Sequence, residues 1–362
     1  MIAPFYRIGT MRVRRGYRGG ALLDARTGLP PRDGDRPEDW IASAVTAVNP
    51  GLPPEAGEGL TPLTPADGGA ATTLAALLAA HPRELLGEAH LARHGANLGF
   101  LAKLLDSAMR LHVQAHPTRQ FARTRMNAPY GKLEAYVILA VRPGTEGWIR
   151  LGFQHSPGRE RWRDIVAQQD VAAMDACFEQ IPVVPGEVWL VPGGWPHAIG
   201  PGVLMLEVME PSDLVVRCEF EREGIVVPPA GRFMGRDLEF CLDVFDFTER
   251  SVAEVQRVGR LAAAPDAAAA ATCTTLIGPQ HTDCFTVHRQ IIPPGGSVVL
   301  PTRQGFTTCL IEQGTVALHH AVSGNTTTLE PLAAVCIPAA TVGISCTAQD
   351  GASVLLIQPG GA

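Results

Sequence analysis

The sequence has eight cysteines, Cys177 to Cys346, but no C-x-x-C pair among them. Zinc-ribbon spacing is therefore missing, and most of the eight sit inside apolar, strand-like runs. That is the pattern of buried, reduced thiols in a cytoplasmic protein. There is no basic surplus either. Thirty Lys and Arg against 36 Asp and Glu leave a net charge of -6, which argues against a nucleic-acid partner. The one basic cluster, RVRRGYR from Arg12 to Arg18, is short and reads as a solvated face. No apolar run reaches the roughly 18 residues a membrane span needs. Arg7, Arg12, Arg14 and Arg15 interrupt the apolar core of any secretory signal. No helices alternate with strands beyond residue 272, which excludes a doubly wound parallel sheet there.

What is present is a turn-rich globular composition: 46% apolar and 18% charged residues, with 38 Gly and 30 Pro in 362. Gly, Pro and Asp crowd the first 70 residues. Helical periodicity appears from about residue 73 to 96, broken by Pro82, and again at 160–181. Most other segments read as strands bounded by Gly or Pro, among them LEAYVILAV, GWIRLGF, EVWLVP and GVLMLEVME. An Ala-rich stretch, 261–272, is a linker candidate. It divides a first unit, 1–260, from a run of short strands at 273–362 that suits a small antiparallel sandwich or barrel.

Four polar intrusions stand out. Gln114 and His116 lie two apart in the strand-like LHVQAHP, so both point to one face. Glu134 opens an apolar strand, where a carboxylate needs a compensating cation or proton. His197 follows Pro192, Gly193, Gly194 and Pro196, a rigid turn that delivers an imidazole. Two His, one Glu and one Gln from separate strands form an N/O donor set suited to a divalent transition metal such as zinc, with a position left for substrate. The same set suits iron, and hence a dioxygenase, as a rival.

The text around these residues resembles the type I mannose-6-phosphate isomerases, zinc-dependent cupins. The resemblance rests on five blocks: Phe100, Leu101 and Lys103; Gln114, His116 and Pro117; Gly131, Lys132 and Glu134; Val191, Pro192, Gly194, His197 and Ala198; then Glu207, Ser212, Asp213 and Arg217. It is densest from about residue 99 to 220. Glu38 and Trp40 match the family's Glu-x-Trp segment further upstream.

The resemblance implies a mainly β fold of two cupin-type β-barrels or jelly rolls with small helical insertions, the shorter bacterial form. It implies one Zn2+ per chain on Gln114, His116, Glu134 and His197, and interconversion of mannose 6-phosphate and fructose 6-phosphate through an enediol. Arg217 would guard the developing charge. The proton carrier is left open among Lys132, Glu207 and Asp213. Lys103, His112, Glu38 and Trp40 would meet the substrate. His112 departs from the family, which commonly has serine there, and VNPG replaces its HPNG-like text; both bear on the phosphate end, so a related or unphosphorylated sugar is an alternative, as is a sugar-binding cupin without turnover. The expected partner is a small sugar phosphate, with no nucleic acid or membrane, in a cytoplasmic monomer or homodimer. The C-terminal unit is expected to serve packing or dimerisation.

Overall fold

The computed structural model describes residues 2–261, 264–265, 272–300 and 305–360. The chain is mainly β and layered. A six-stranded antiparallel sheet runs in the order Val188–Val191, Glu134–Val141, Val203–Met209, Leu101–Asp106, Glu38–Ala42, Arg12–Val13. A five-stranded sheet runs Ile181–Pro182, Trp148–Leu151, His197–Ile199, Gln114–Ala115, Val216–Arg217. These two share a core in which Leu105, Tyr136, Met205 and Trp189 of the first meet Ile149, Leu151 and Ile199 of the second. The candidate site lies in this sandwich.

The back of the six-stranded sheet is buried as well. Ala102, Leu104, Val137 and Leu206 pack on Leu310, Leu355 and Ile357 of a nine-stranded sheet, with Leu77, Leu85 and Leu86 of the helical insertion between. Burial on both faces explains why LEAYVILAV shows no apolar–polar alternation. The nine-stranded sheet in turn covers a four-stranded one through Cys309, Ile311 and Leu356 against Leu318, Ile344 and Cys346. Each buried aliphatic side chain in these cores contributes about 1.5–3 kcal/mol. Among the described residues no sheet closes on itself, so the two β units are facing sheets, in jelly-roll style, rather than continuously hydrogen-bonded barrels.

Three strands from the start of the chain, Tyr6–Ile8, Pro62–Pro65 and Thr72–Thr73, extend the nine-stranded sheet, with Tyr6 paired to Cys336. Hydrogen bonding therefore crosses the boundary at residue 260. Most of the Ala-rich stretch lies outside the described residues; within it, Ala264–Pro265 pairs with Cys273–Ile277.

The first helical segment is three short helices, Leu74–Ala80, Pro82–Leu86 and Glu88–His94. Thr73 caps the first by accepting the Ala76 N–H, and Pro82 and Gly87 divide the rest. The second is Gly158–Gln168 and Val171–Asp175, and Ile181 already belongs to a strand. No helix among the described residues is long and apolar enough to cross a membrane. All eight cysteines are buried and none is in a disulfide.

Candidate metal centre and cleft

Gln114, His116, Glu134 and His197 converge between the two sheets. His116 Nε2 lies 3.0 Å from Glu134 Oε1, and His197 Nε2 lies 3.6 Å from Glu134 Oε2. The Gln114 amide is 3.3 Å from His197 Nε2. His116, Glu134 and His197 are the one group of three or more potential His, Cys, Asp or Glu ligands found among the described residues, with donor atoms within 4.8 Å of one another.

The hydrogen bonds decide what this cluster wants. Each imidazole spends its Nδ1–H on a backbone carbonyl: His116 on Leu214 O at 2.8 Å, His197 on Trp195 O at 3.0 Å. That fixes the tautomer and leaves both Nε2 lone pairs facing the Glu134 carboxylate. His116 Nε2 has no hydrogen-bond partner although it is buried. Burial, with the Lys132 charge beside it, pushes the His116 imidazolium down to about 4, so protonation does not relieve the contact at neutral pH. Burial lowers His197 too. Burial alone would raise Glu134, but the neighbouring His116 and Lys132 outweigh it and hold the carboxyl well below its usual range. Lone pairs turned on a carboxylate call for a cation. Donors bound tetrahedrally to one ion at about 2.1 Å stand about 3.4 Å apart, and the observed separations bracket that. The residues therefore fit a zinc-sized dication, with Gln114 contributing its amide oxygen once that oxygen faces the ion.

Glycine explains how three distant segments meet. A Cβ on Gly131 would lie 2.5 Å from Pro117 O, and one on Gly193 would lie 2.9 Å from the same oxygen. Only hydrogen fits at either place. Lys132 N–H donates to Pro117 O and Gly194 N–H to His116 O, so both ligand-bearing loops are stitched to the backbone just after His116. The Tyr136 hydroxyl donates to Glu134 Oε2 at 2.6 Å and orients the carboxylate.

Beside this centre is a cleft of about 610 Å³ of space free of protein atoms, part of it open solvent. Glu38, Lys103, His112, Gln114, Lys132, Glu134, Glu207, Asp213 and Arg217 all line it. Lys103 sits on a strand, between Glu38 at 2.9 Å and Glu207 at 3.3 Å. Burial opposes its charge, but the two carboxylates outweigh this and raise it. Lys132 Nζ is 3.2 Å from Glu134 Oε1, on the same side as two-residue spacing requires. Burial, then the Glu134 charge, pushes Glu207 up to about 8. Arg217 donates to Gly231 O at 2.7 Å and makes no ion pair among the described residues; burial lowers it. His112 is 5% exposed, and burial pushes it down to about 4, leaving a neutral ring beside Ile225 O. Trp40 does not line the cleft. It reaches it through Glu38, to which its indole N–H donates at 2.8 Å.

The reading of Arg12 to Arg18 as a solvated face is overturned at Arg12, Arg14 and Arg15, while Arg18 is exposed. Arg15 lines the cleft and binds Glu38 at 2.8 Å, with its guanidinium 5.0 Å from the Trp40 ring, and Tyr17 OH donates to Glu38 Oε1 at 2.7 Å. Arg14 is largely buried and paired with Glu58. Charge density alone cannot tell an exposed arginine from one that meets a carboxylate folded in from later in the chain. Tyr136 was findable, since it stands two residues after Glu134 on a strand.

No family model matches the chain. Curated relatives cover part of it. The chain is 31% identical over 137 residues to "Mannose-6-phosphate isomerase ManA" of Bacillus subtilis, 38% of this chain and 40% of that protein. It is 31% identical over 168 residues to the mannose-6-phosphate isomerase of Streptococcus mutans, 46% and 48%. The chain thus matches less than half the length of these relatives. The resemblance read from the five motif blocks agrees with these names. Solved structures match along the whole chain. A putative mannosephosphate isomerase from Archaeoglobus fulgidus has a TM-score of 0.73 at 17% identity over 100% of both chains. The Bacillus subtilis mannose 6-phosphate isomerase has 0.72 at 19%, over 98% and 99%, and a zinc-bound mannose 6-phosphate isomerase has 0.70 at 16%, over 99% and 100%. These likenesses establish the fold.

Proposed function

We propose that this chain is a zinc-dependent aldose–ketose isomerase that interconverts mannose 6-phosphate and fructose 6-phosphate. The observation that carries the reading is the buried His116–Glu134–His197 group, whose imidazole lone pairs face a carboxylate and so call for a dication. The names of the partial relatives and the zinc-bound neighbour support it. Eight buried cysteines, none in a disulfide, support a reducing compartment, the cytoplasm.

Bound zinc would act as a Lewis acid toward the two sugar oxygens whose charge grows in the enediolate. The chain's own residues do the rest. Gln114, His116, Glu134 and His197 would hold the ion. Arg217, a half-buried guanidinium with N–H groups to spare, would stabilise negative charge developing on the sugar. Glu207 is our assignment for the proton carrier between C1 and C2, because it lines the cleft beside the metal centre and burial raises its carboxyl toward neutral pH. Lys103, held by Glu38, would keep Glu207 oriented.

Charge supports a phosphorylated sugar over a neutral one. Four basic side chains face four carboxylic acids in the cleft. A bound dication then leaves surplus positive charge, which a phosphoryl dianion offsets and a free hexose does not.

The test is zinc loading of metal-free protein, then NMR of mannose 6-phosphate in deuterated water. Fructose 6-phosphate formation with deuterium at its C1, and at C2 of the mannose 6-phosphate re-formed by the reverse reaction, is expected, with far lower kcat/KM for free mannose. Sugar binding without turnover would sink the isomerase reading, as would oxygen consumption with bound iron.

A further inference from the structure

Arg217 stands on a very short ladder, held on its other side by the Arg217 N–H donating to Arg232 O at 2.8 Å and by a Val216–Phe233 bridge. Val216–Arg217 pairs with Gln114–Ala115 through two residues only, Arg217 opposite Gln114 and Val216 opposite Ala115. Burial of Val216 and Cys218 favours this register, and a slip of one residue would turn Arg217 to the other face of the sheet. Past it, Cys218 N–H still reaches Val113 O at 2.8 Å. Then a side chain takes over from the backbone. Glu219, two residues after Arg217 and fully buried, accepts the Val113 N–H at 3.3 Å. It also receives Arg110 in a fork, NH1 to Oε2 at 2.9 Å and NH2 to Oε1 at 3.0 Å. Arg110 lies four residues before Gln114, ahead of the two-residue strand that carries it, is 7% exposed, and extends to Asp175 at 3.4 Å. Arg222 supports Glu219 Oε1 from the other side at 2.5 Å.

We propose that Glu219 and Arg110 are a positioning pair that fixes the register in which Arg217 stands opposite the ligand Gln114. The two-pronged contact has a geometric meaning that one point charge lacks: a fork meeting a carboxylate in its plane defines both distance and rotation. Neither residue lines the cleft, so the pair acts through Arg217 and not on substrate. The inference rests on the role given to Arg217 above.

Two variants test it: Glu219→Gln, which keeps shape and loses the charged fork, and the double Arg110→Met/Glu219→Leu, which replaces the pair with apolar groups and leaves no buried unpaired charge. Wild-type turnover is the control; if the wild type is inactive, the functional reading fails, and the register is still tested by amide hydrogen exchange in metal-free protein. There the Cys218 amide is expected to exchange at least about tenfold faster in both variants. In active enzyme, kcat per zinc-loaded site is expected to fall at least about tenfold, since small misplacements at a reacting centre are costly. KM should stay within about twofold. Zinc affinity should stay within about threefold, because the His116 and His197 rings are oriented by other carbonyls. Unchanged Cys218 exchange, or a folded double variant with wild-type kcat, overturns the proposal. So does failure of both variants to fold, which would make the pair a structural ion pair and nothing more.

Discussion

Glu207 makes the most quantitative case, because its environment couples the cleft to stability. Burial, reinforced by Glu134, pushes its carboxyl from 4.5 to about 8 in the folded protein. The sign follows from proton counts. Between 4.5 and 8 the folded state keeps a proton that the unfolded chain has lost, so metal-free protein loses stability as pH rises through that window. At about 1.4 kcal/mol per pH unit the loss is at most about 5 kcal/mol, and flattens above pH 8. Glu207→Gln removes the titrating group. Its metal-free stability, measured by urea unfolding from pH 5 to 9, should gain on the wild type progressively between pH 5 and 8 and then hold level. Lys103→Met should do the opposite. It removes the ammonium 3.3 Å away that favours the carboxylate, so Glu207 moves above 8 and the decline continues toward pH 9. Glu38 does not complicate this, because Arg15, Tyr17 and Trp40 still hold it. Parallel profiles for wild type and Glu207→Gln would refute the reasoning.

Arg217→Ala is expected to lower kcat more than about tenfold while zinc content, read by atomic emission, stays at wild-type level. Tyr136→Phe deletes the 2.6 Å hydrogen bond that orients Glu134; zinc affinity in a chelator competition should fall about 10–100-fold. Gly131→Ala would set a Cβ 2.5 Å from Pro117 O, displacing the backbone beside His116, so metal-free stability should drop by about 1–3 kcal/mol in urea unfolding and zinc binding should weaken with it.

The difference between what was legible and what was not lies in how far each feature reaches along the chain. Gln114 and His116 betrayed themselves because a strand's two-residue period puts neighbours i and i+2 on one side, a rule needing no tertiary knowledge. Glu134 was conspicuous because an unpaired carboxylate at the head of an apolar strand is costly wherever that strand ends up. Lys132 followed from the same period, and its contact with Glu134 bears that out. Arg15 had no such local mark. Whether an arginine lies in solvent or in a cleft depends on where Glu38 folds, and that is set by pairing of the Arg12–Val13 and Glu38–Ala42 strands across a long Gly- and Pro-rich loop. The extension of the nine-stranded sheet by Tyr6–Ile8 was hidden for the same reason: Tyr6 meets Cys336, and no short-range pattern records a partner more than 300 residues away. The Arg110–Glu219 fork belongs with these. Each half looks like an ordinary surface charge in the sequence, and it is burial beside a two-residue ladder that turns an ion pair into a device for holding register.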